Sequence, residues 1–237
     1  MSKIDLYDGD CLEVMDKLIE QGVKVDAIIT DPPYGITACK WDSVIPFDAM
    51  WERLNKLIKP NGAIVLFGSE PFSSALRMSN IKNYKYDWIW DKVKGGNFAI
   101  LKYQPYKTHE IISVFSNKTH NYYPIKTPQK PRTGKVYSNS ASAPLKYNDG
   151  VERVYKDKHP KSILTLSNAN QKGKLHPTQK PVALMEYLIK TYTNENELIL
   201  DFTSGSGTLA IACENTNRRW ICIEQEEEYC EIHKNRL

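Results

Sequence analysis

The chain has 237 residues, of which 41% are hydrophobic and 25% are charged, and its formal net charge is +4. This length and composition are typical of a soluble globular protein with one α/β domain and an insertion. The five cysteines form no CxxC pair, which argues against a disulfide framework and against a metal site. No apolar run approaches the roughly 20 residues that span a bilayer, so we expect a cytoplasmic protein without a membrane partner.

The hydrophobic pattern predicts strands and helices that alternate along most of the chain. In chain order we predict a strand at 3–7, a helix at 12–19, a strand at 25–30, a helix at 47–58, a turn at 60–62, a strand at 63–67, a helix at 71–78, strands at 86–90 and 111–115, a helix at 181–192, a strand at 197–200, a helix at 208–214, a strand at 219–223 and a helix at 226–235. Such alternation predicts an α/β fold whose mostly parallel sheet has helices on both faces.

Segment 117–175 breaks this pattern and divides the chain into 1–116, 117–175 and 176–237. It is rich in Lys, Pro, Ser, Asn and Tyr and lacks apolar periodicity, so we expect an irregular insertion with short helices or hairpins. This segment contains ten Lys, two Arg and three acidic residues, so its net charge is +9, whereas the rest of the chain has a net charge of −5. This asymmetry indicates a polyanionic partner, although a solvated basic loop is the simpler alternative.

The segment Asp31-Pro32-Pro33-Tyr34 follows a predicted buried strand. The prolines fix the backbone and remove two donors, while their carbonyl oxygens remain as acceptors. Asp31 adds a carboxylate and Tyr34 adds an aromatic face. A rigid pocket of this kind can bind both hydrogens of an aromatic amino group and stabilise the positive charge that develops on its nitrogen during alkylation. The alternative is an ordinary turn at the end of a strand.

A glycine-rich segment at 201–208, Asp-Phe-Thr-Ser-Gly-Ser-Gly-Thr, joins a predicted strand to a helix. Glycines allow a close backbone approach to a ligand, and the helix start supplies free N–H groups. Glu224 ends the following strand, which is where a carboxylate can bind the hydroxyls of a ribose. The context predicts a nucleoside site, although flexible loops use the same residues.

The first motif resembles the catalytic motif of the DNA amino-methyltransferases, Asp/Asn/Ser-Pro-Pro-aromatic. In that family aspartate is most often found in adenine-N6 enzymes and serine is commoner in cytosine-N4 enzymes, while asparagine occurs in relatives that methylate glutamine or RNA. The resemblance implies S-adenosylmethionine as cofactor, a base flipped out of double-stranded DNA, and catalytic roles for Asp31, Pro32, Pro33 and Tyr34.

The second motif is similar to the cofactor segment of the same family, usually Asp-Pro-Phe-x-Gly-Ser-Gly-Thr, with Phe202 here in place of proline and Thr203 in place of phenylalanine. Segment 176–181 resembles the part that closes over the methionine end of the cofactor, where Lys180 would face the carboxylate. The cofactor-binding residues implied by the resemblance are Asp10, Cys11, Asp31, His176, Lys180, Pro181, Asp201, Phe202, Thr203, Ser204, Gly205, Ser206, Gly207, Thr208, Glu224 and Gln225.

Two further segments resemble parts of the family near the target base: His109-Glu110, and Trp90-Asp91-Lys92 with Gly95-Gly96-Asn97. The position of the basic insertion between the motifs matches the target-recognition region. The candidate DNA-binding residues are Lys118, Lys126, Lys130, Arg132, Lys135, Arg153, Lys156, Lys158 and Lys161.

The order of the motifs resembles the β group of this family, a circular permutation of the Rossmann-like methyltransferase fold. The resemblance implies that the last helix lies near the first strand, that homodimers can form, and that the source is bacterial, archaeal or phage. We therefore expect an adenine-N6 DNA methyltransferase. A cytosine-N4 enzyme, an RNA or glutamine methyltransferase, and a catalytically impaired DNA-binding module on the same fold are the alternatives.

Overall fold

The computed structural model of the chain describes residues 4–37, 42–135, 152–168 and 179–237. The strands are β1 (Ile4–Asp8), β2 (Val25–Thr30), β3 (Ile58–Gly68), β4 (Tyr84–Asp91), β5 (His109–Phe115), β6 (Thr127–Lys135), β7 (Glu152–Lys158), β8 (Ile163–Thr165), β9 (Leu198–Asp201) and β10 (Arg219–Glu224). The helices are α1 (Cys11–Glu20), α2 (Phe47–Leu57), α3 (Phe72–Ser79), α4 (Val182–Tyr192), α5 (Thr208–Asn215) and α6 (Glu227–Arg236). In the described ranges, none of the helices is long and apolar enough to cross a membrane.

Two compact units are present, one formed by Met1–Tyr123 with Ser162–Leu237 and the other by Pro124–Lys161. The first contains an eight-stranded sheet in the order β1-β10-β9-β2-β3-β5-β4-β8. Neighbouring strands are parallel except where β5 pairs with β3 and β4. The carboxyl ends of β1, β10, β9, β2 and β3 therefore meet at one edge, and the amino end of β5 lies at the same edge.

Side chains of the central strands alternate between two buried layers, as the two-residue period of a strand requires. Ala27 and Ile29 of β2 pack in the layer that contains the buried face of α4 and α5. Ile28 lies in the opposite layer with α1, α2 and α3. The predicted α/β fold with helices on both faces of a mostly parallel sheet is confirmed.

The chain ends meet at one side of this sheet. β1 pairs with β10 from Ile4 opposite Trp220 to Asp8 opposite Glu224. Helix α6 follows β10 and packs against both β1 and β10. The predicted permuted arrangement, with the final helix returning to the first strand, is therefore confirmed.

The predicted turn at 60–62 is wrong, because these residues belong to β3. The strand register shifts between Val25–Ile58 and Ala27–Ala63, so the additional residues of β3 form a bulge opposite β2. A Cβ at Gly62 would lie 2.7 Å from the carbonyl oxygen of Asp26, which explains the need for glycine.

The predicted insertion 117–175 contains more regular structure than its composition indicates. Strands β6 and β7 form an antiparallel pair in the second unit. Strand β8 instead extends the main sheet beside β4, and the indole of Trp90 donates to the carbonyl of Leu166 at 2.8 Å. The compact second unit is thus shorter than the predicted insertion. At three residues, β8 is too short to show a period in the sequence.

Candidate active site

Loops at the carboxyl edge of the main sheet enclose a cavity of about 790 Å³. Pockets that hold cofactors and other small molecules measure roughly 300–1,000 Å³. The segments after β1, β2, β9 and β10 line the cavity, together with residues after β4, the start of β5, and Gln179 and Lys180 before α4. In parallel α/β sheets this edge is where ligands bind.

Asp31 is the first residue after β2, and its carboxylate has two partners. The hydroxyl of Tyr34 donates to Oδ1, and the ammonium of Lys180 donates to Oδ2. The Tyr34 ring packs against Phe72, with ring centroids 5.1 Å apart, which fixes the direction of its hydroxyl. The Asp31 side chain is 21% exposed, so its carboxylate is held rigidly but remains accessible from the cavity.

Lys180 is 6% exposed and connects Asp31 to a second carboxylate. Its Nζ lies 3.4 Å from Glu110 Oε2, and Lys92 Nζ donates to Glu110 Oε1 at 3.0 Å. The Lys180 ammonium also lies 5.2 Å from the centre of the Phe67 ring. Two carboxylates and two ammonium groups alternate in the row Asp31–Lys180–Glu110–Lys92, so each charged group has an opposite charge beside it.

Burial and the neighbouring charges together set the pKa values of these groups. It raises the pKa of Asp31, and Lys180 opposes this effect while Glu110 adds to it. Burial would lower the pKa of Lys180, but Asp31 and Glu110 outweigh it and raise that pKa. Burial would raise the pKa of Glu110, but the two lysines outweigh it and lower that pKa. Burial and Asp31 hold the pKa of Tyr34 well above its ordinary value, so Tyr34 stays a hydrogen-bond donor.

Asp42 organises the backbone that follows Pro32 and Pro33. Its Oδ1 accepts from the N–H groups of Tyr34 and Gly35, both at 2.8 Å, and its Oδ2 accepts from Ile36 at 3.0 Å and Thr37 at 2.7 Å. Burial raises the pKa of Asp42, but the hydrogen bonds from Thr37, Gly35 and Ile36 outweigh burial and lower it. The ionised Asp42 carboxylate therefore accepts hydrogen bonds from four consecutive backbone N–H groups and holds them in place.

The glycine-rich segment is hydrogen-bonded directly to Thr30 and Asp31 at the end of β2. Thr30 Oγ1 donates to Asp201 Oδ1 at 2.8 Å and accepts from Phe202 N at 3.1 Å. The hydroxyl of Thr203 donates to the backbone carbonyl of Asp31 at 3.2 Å. Burial raises the pKa of Asp201 to about 7. These bonds fix the position of Asp31 relative to the loop after β9.

Glu224 at the end of β10 accepts from three backbone N–H groups. Its Oε2 accepts from Gly205 at 2.7 Å, and its Oε1 accepts from Gln225 and Glu226, each at 3.0 Å. Burial raises the pKa of Glu224, and these N–H groups oppose that rise. The carboxylate is thereby oriented at the cavity wall beside the glycine loop.

Helix α6 supports the glycine loop from behind. Gly207 has φ +77°, and a Cβ there would lie 2.5 Å from the ring of His233, so only glycine fits. His233 is fully buried beside Trp220, and burial lowers its pKa to about 4, so it is a neutral packing residue at pH 7. Arg236 donates to Ser206 Oγ at 2.9 Å.

Asp10 caps the first helix at the far end of the cavity. Its Oδ1 accepts from Leu12 N at 2.8 Å and Glu13 N at 3.1 Å. The cap holds Asp10 and Cys11 at the cavity wall. No group of His, Cys, Asp and Glu able to bind a metal ion occurs among the residues that the structure describes.

Comparison with known proteins identifies the family to which the chain belongs. The family model of the DNA methylases of the N6/N4 type matches residues 25–235. The chain is a member of this DNA methylase family.

Curated relatives of this DNA methylase come from bacteria. The type II methyltransferase M.HpaI of Haemophilus parainfluenzae is 30% identical over an alignment of 228 positions, which covers 90% of this chain and 68% of the relative. The type II methyltransferase M2.LlaDCHI of Lactococcus lactis subsp. cremoris is 28% identical over an alignment of 260 positions, which covers 98% of this chain and 88% of the relative.

Solved structures share the fold of the DNA methylase over nearly its whole length. The crystal structure of the M1.HpyAVI–SAM complex matches with a TM-score of 0.67 and 29% identity, and the match covers 98% of this chain and 99% of that chain. The cytosine-N4-specific PvuII DNA methyltransferase matches with a TM-score of 0.68 at 19% identity, over 98% of this chain and 85% of that chain, which is a likeness of fold.

Most cofactor residues predicted from the sequence line the cavity of the DNA methylase. Pro181 and Gly207 do not line it, since Pro181 caps α4 and Gly207 faces His233, and His176 lies outside the described residues. Lys180 lines the cavity, but its ammonium contacts Asp31 and Glu110. The predicted residues that line the cavity are Asp10, Cys11, Asp31, Lys180, Asp201, Phe202, Thr203, Ser204, Gly205, Ser206, Thr208, Glu224 and Gln225.

Sequence reasoning missed Asp42 and Thr30 and found Glu110 and Lys92 of the DNA methylase only through a weak resemblance. The backbone N–H groups that follow Pro32-Pro33 need a hydrogen-bond acceptor. The sequence therefore indicates that some nearby side chain accepts from them, as Asp42 does. The sequence does not say which residue supplies the acceptor, because the contact depends on how the loop folds.

The predicted DNA-binding cations are divided between the two compact units. Lys118 belongs to the first unit and lines a small cleft with Lys24 and Lys59 near the starts of β2 and β3, at the edge opposite the cavity. In the second unit Lys126 lies 3.3 Å from Asp157. The other predicted cations lie on β6, on β7 or close to their ends, namely Lys130, Arg132, Lys135, Arg153, Lys156, Lys158 and Lys161.

Proposed function

We propose that this DNA methylase transfers the methyl group of S-adenosylmethionine to the N6 amino group of an adenine flipped out of double-stranded DNA. The observation that carries the proposal is the Asp31 carboxylate, held at the cavity by Tyr34 and Lys180 and bonded through its backbone to the glycine loop. Aspartate at this position, with its resemblance to adenine-N6 enzymes, favours adenine over cytosine.

The residues at the cavity suit the proposed cofactor. Glu224 presents an oriented carboxylate to ribose hydroxyls, and Asp10 presents an acceptor to an adenine amino group. Gly9 and Gly205 let the backbone approach the ligand closely. When bound, S-adenosylmethionine supplies an electrophilic methyl group.

Asp31 prepares the target amino group for alkylation. The amino hydrogens bind the Asp31 carboxylate and the Pro32 carbonyl, in place of the Lys180 ammonium on Oδ2. Lys180 stays neutralised by Glu110 during this exchange. The carboxylate stabilises the positive charge that develops on the nitrogen, and the excess proton leaves through water. The Tyr34 ring provides an aromatic face for the base.

The second unit is the proposed target-recognition part, within the predicted insertion 117–175. A basic two-stranded ribbon is one of the elements that fit the major groove of B-DNA. Strands β6 and β7 form such a ribbon and carry Lys130, Arg132, Arg153, Lys156 and Lys158. Contacts to phosphates and bases provide the few kcal/mol that unstacking a base costs.

Replacing Asp31 tests the mechanism. We expect Asp31→Ala to lower methyl transfer to DNA by at least 100-fold, because the amine loses its main acceptor. Binding of S-adenosylmethionine, measured by calorimetry, should change little. Asp48→Ala is the matched control, since Asp48 is an exposed carboxylate in the first turn of α2 and does not line the cavity. Full activity of Asp31→Ala would contradict the mechanism.

A further inference from the structure

The connection between β4 and β5, residues 92–108, carries an unusual group of exposed apolar side chains. Phe98 is 68% exposed and Tyr103 is 85% exposed, and Ile100 and Leu101 are also exposed. Six of the sixteen large hydrophobic side chains that are exposed in the described part of the chain lie within residues 93–106. Exposed apolar groups of this kind mark interaction sites.

The backbone below these side chains is firmly held. Asn97 donates from its amide to the carbonyl of Pro105 at 2.9 Å and accepts from Lys107 N at 2.9 Å. The hydroxyl of Tyr106 donates to the carbonyl of Gly95 at 2.9 Å, and Lys92 N donates to the carbonyl of Thr108 at 2.7 Å. The exposed side chains therefore stand on a preformed support, which lowers the entropy lost on binding.

The base of the same connection opens onto the cavity. Gly96 and Asn97 line the cavity wall together with Lys92 and Lys107. Phe98 follows Asn97 directly and begins a short 3₁₀ helix, Phe98–Ile100, and the exposed Leu101 and Tyr103 come just after it. We call residues 98–103 the apolar tip.

Charge favours nucleic acid as the partner of the apolar tip. Residues 92–108 include four lysines and no acidic residue. Lys94 and Lys102 are exposed beside the tip. Cations that flank apolar side chains suit a surface whose outside is phosphate and whose interior is stacked bases.

We propose that the apolar tip inserts into the DNA duplex as a wedge beside the target base and fills the space that the flipped base leaves. The proposal rests on the function proposed above and adds the residues that open the helix. Leu101 and Tyr103 are the inserted side chains, and Lys94 and Lys102 bind the phosphates next to them. An apolar wedge lowers the cost of unstacking because it replaces the lost stacking contacts.

The test is the double variant Leu101→Ser with Tyr103→Ser. Both side chains are exposed, so the variant should keep its fold, which thermal unfolding checks. The control is Met78→Ser with Ile81→Ser, which removes two exposed apolar side chains near the start of β4, at the edge away from the cavity.

The target site is read from plasmid DNA methylated by the wild-type protein. Two synthetic duplexes then carry that site, with either the complementary base or an abasic position opposite the target.

We expect the double variant to methylate the fully paired duplex about 10-fold more slowly than the wild-type protein. On the abasic duplex the loss should fall below two-fold, because an unpaired base needs less help to leave the stack. The control variant should match the wild-type protein on both duplexes.

An equal loss on both duplexes, or no loss on either, would overturn the wedge. A wild-type dimer that the double variant converts to a monomer in sedimentation would also overturn it, since the tip would then be a protein interface. Failure of the wild-type protein to methylate any DNA would contradict the proposed function itself, so the two failures are distinguishable.

Discussion

At the scale of single residues, Thr203 links the glycine-rich loop to the segment that begins at Asp31. Its hydroxyl donates to the carbonyl of Asp31 at 3.2 Å, and its backbone N–H donates to Asp201 Oδ1 at 3.2 Å. The family that the sequence resembles usually has phenylalanine at this position. A hydrogen bond here takes the place of that aromatic side chain, and it acts on the backbone of Asp31.

We expect Thr203→Val to lower the free energy of unfolding by about 0.5–1.5 kcal/mol, because the Asp31 carbonyl loses its hydrogen bond. Methyl transfer to DNA should fall several-fold, since Asp31 is held less firmly. Thr203→Ser keeps the hydroxyl and should restore both quantities. Urea unfolding and labelled-methyl incorporation measure them, and identical behaviour of the valine and serine variants would contradict a role for the hydroxyl.

At the scale of an element, the conformation of the loop after the Pro-Pro-Tyr motif depends on hydrogen bonds to Asp42. Four consecutive backbone donors, from Tyr34 to Thr37, converge on this one carboxylate. Asp42 is 8% exposed, so water replaces it poorly. The loop therefore owes its shape to one side chain, and that shape positions Tyr34 against Asp31.

We expect Asp42→Ala to destabilise the fold by about 1–3 kcal/mol, because four backbone N–H groups lose their acceptor. Hydrogen exchange of the four amides should accelerate more than exchange of amides in β2, and Asp42→Asn should give an intermediate effect because it keeps one carbonyl oxygen. Unchanged exchange of these amides in Asp42→Ala would show that the loop holds its shape without the carboxylate.

At the scale of the whole molecule, periodicity predicted the elements that alternate regularly. Buried strands such as Val25–Thr30 and helices such as Phe47–Leu57 carry apolar residues at the spacing of their secondary structure. The turn predicted at Pro60 to Gly62 was wrong, because a bulge accommodates these residues inside β3. Strand β8 was missed because pairing with β4, rather than local preference, makes it a strand.

The candidate site was predictable where residues adjacent in the chain carry it. Asp31 to Tyr34 and Ser204 to Ser206 form local motifs, and they line one cavity because their strands are neighbours in the sheet. The contacts of Lys180 with Asp31 and Glu110 join three distant segments. No sequence spacing encodes such contacts, so they emerge only from the packed fold.

Identifying the methylated nucleoside tests the proposed methyl transfer to adenine N6 most directly. Purified protein is incubated with labelled S-adenosylmethionine and mixed-sequence double-stranded DNA, and the digested nucleosides are separated. We expect the label to appear in N6-methyldeoxyadenosine, with the same product from Asp48→Ala and at least 100-fold less of it from Asp31→Ala. Label in N4-methyldeoxycytidine would contradict the assignment of adenine, and absence of label from DNA would contradict the proposed function.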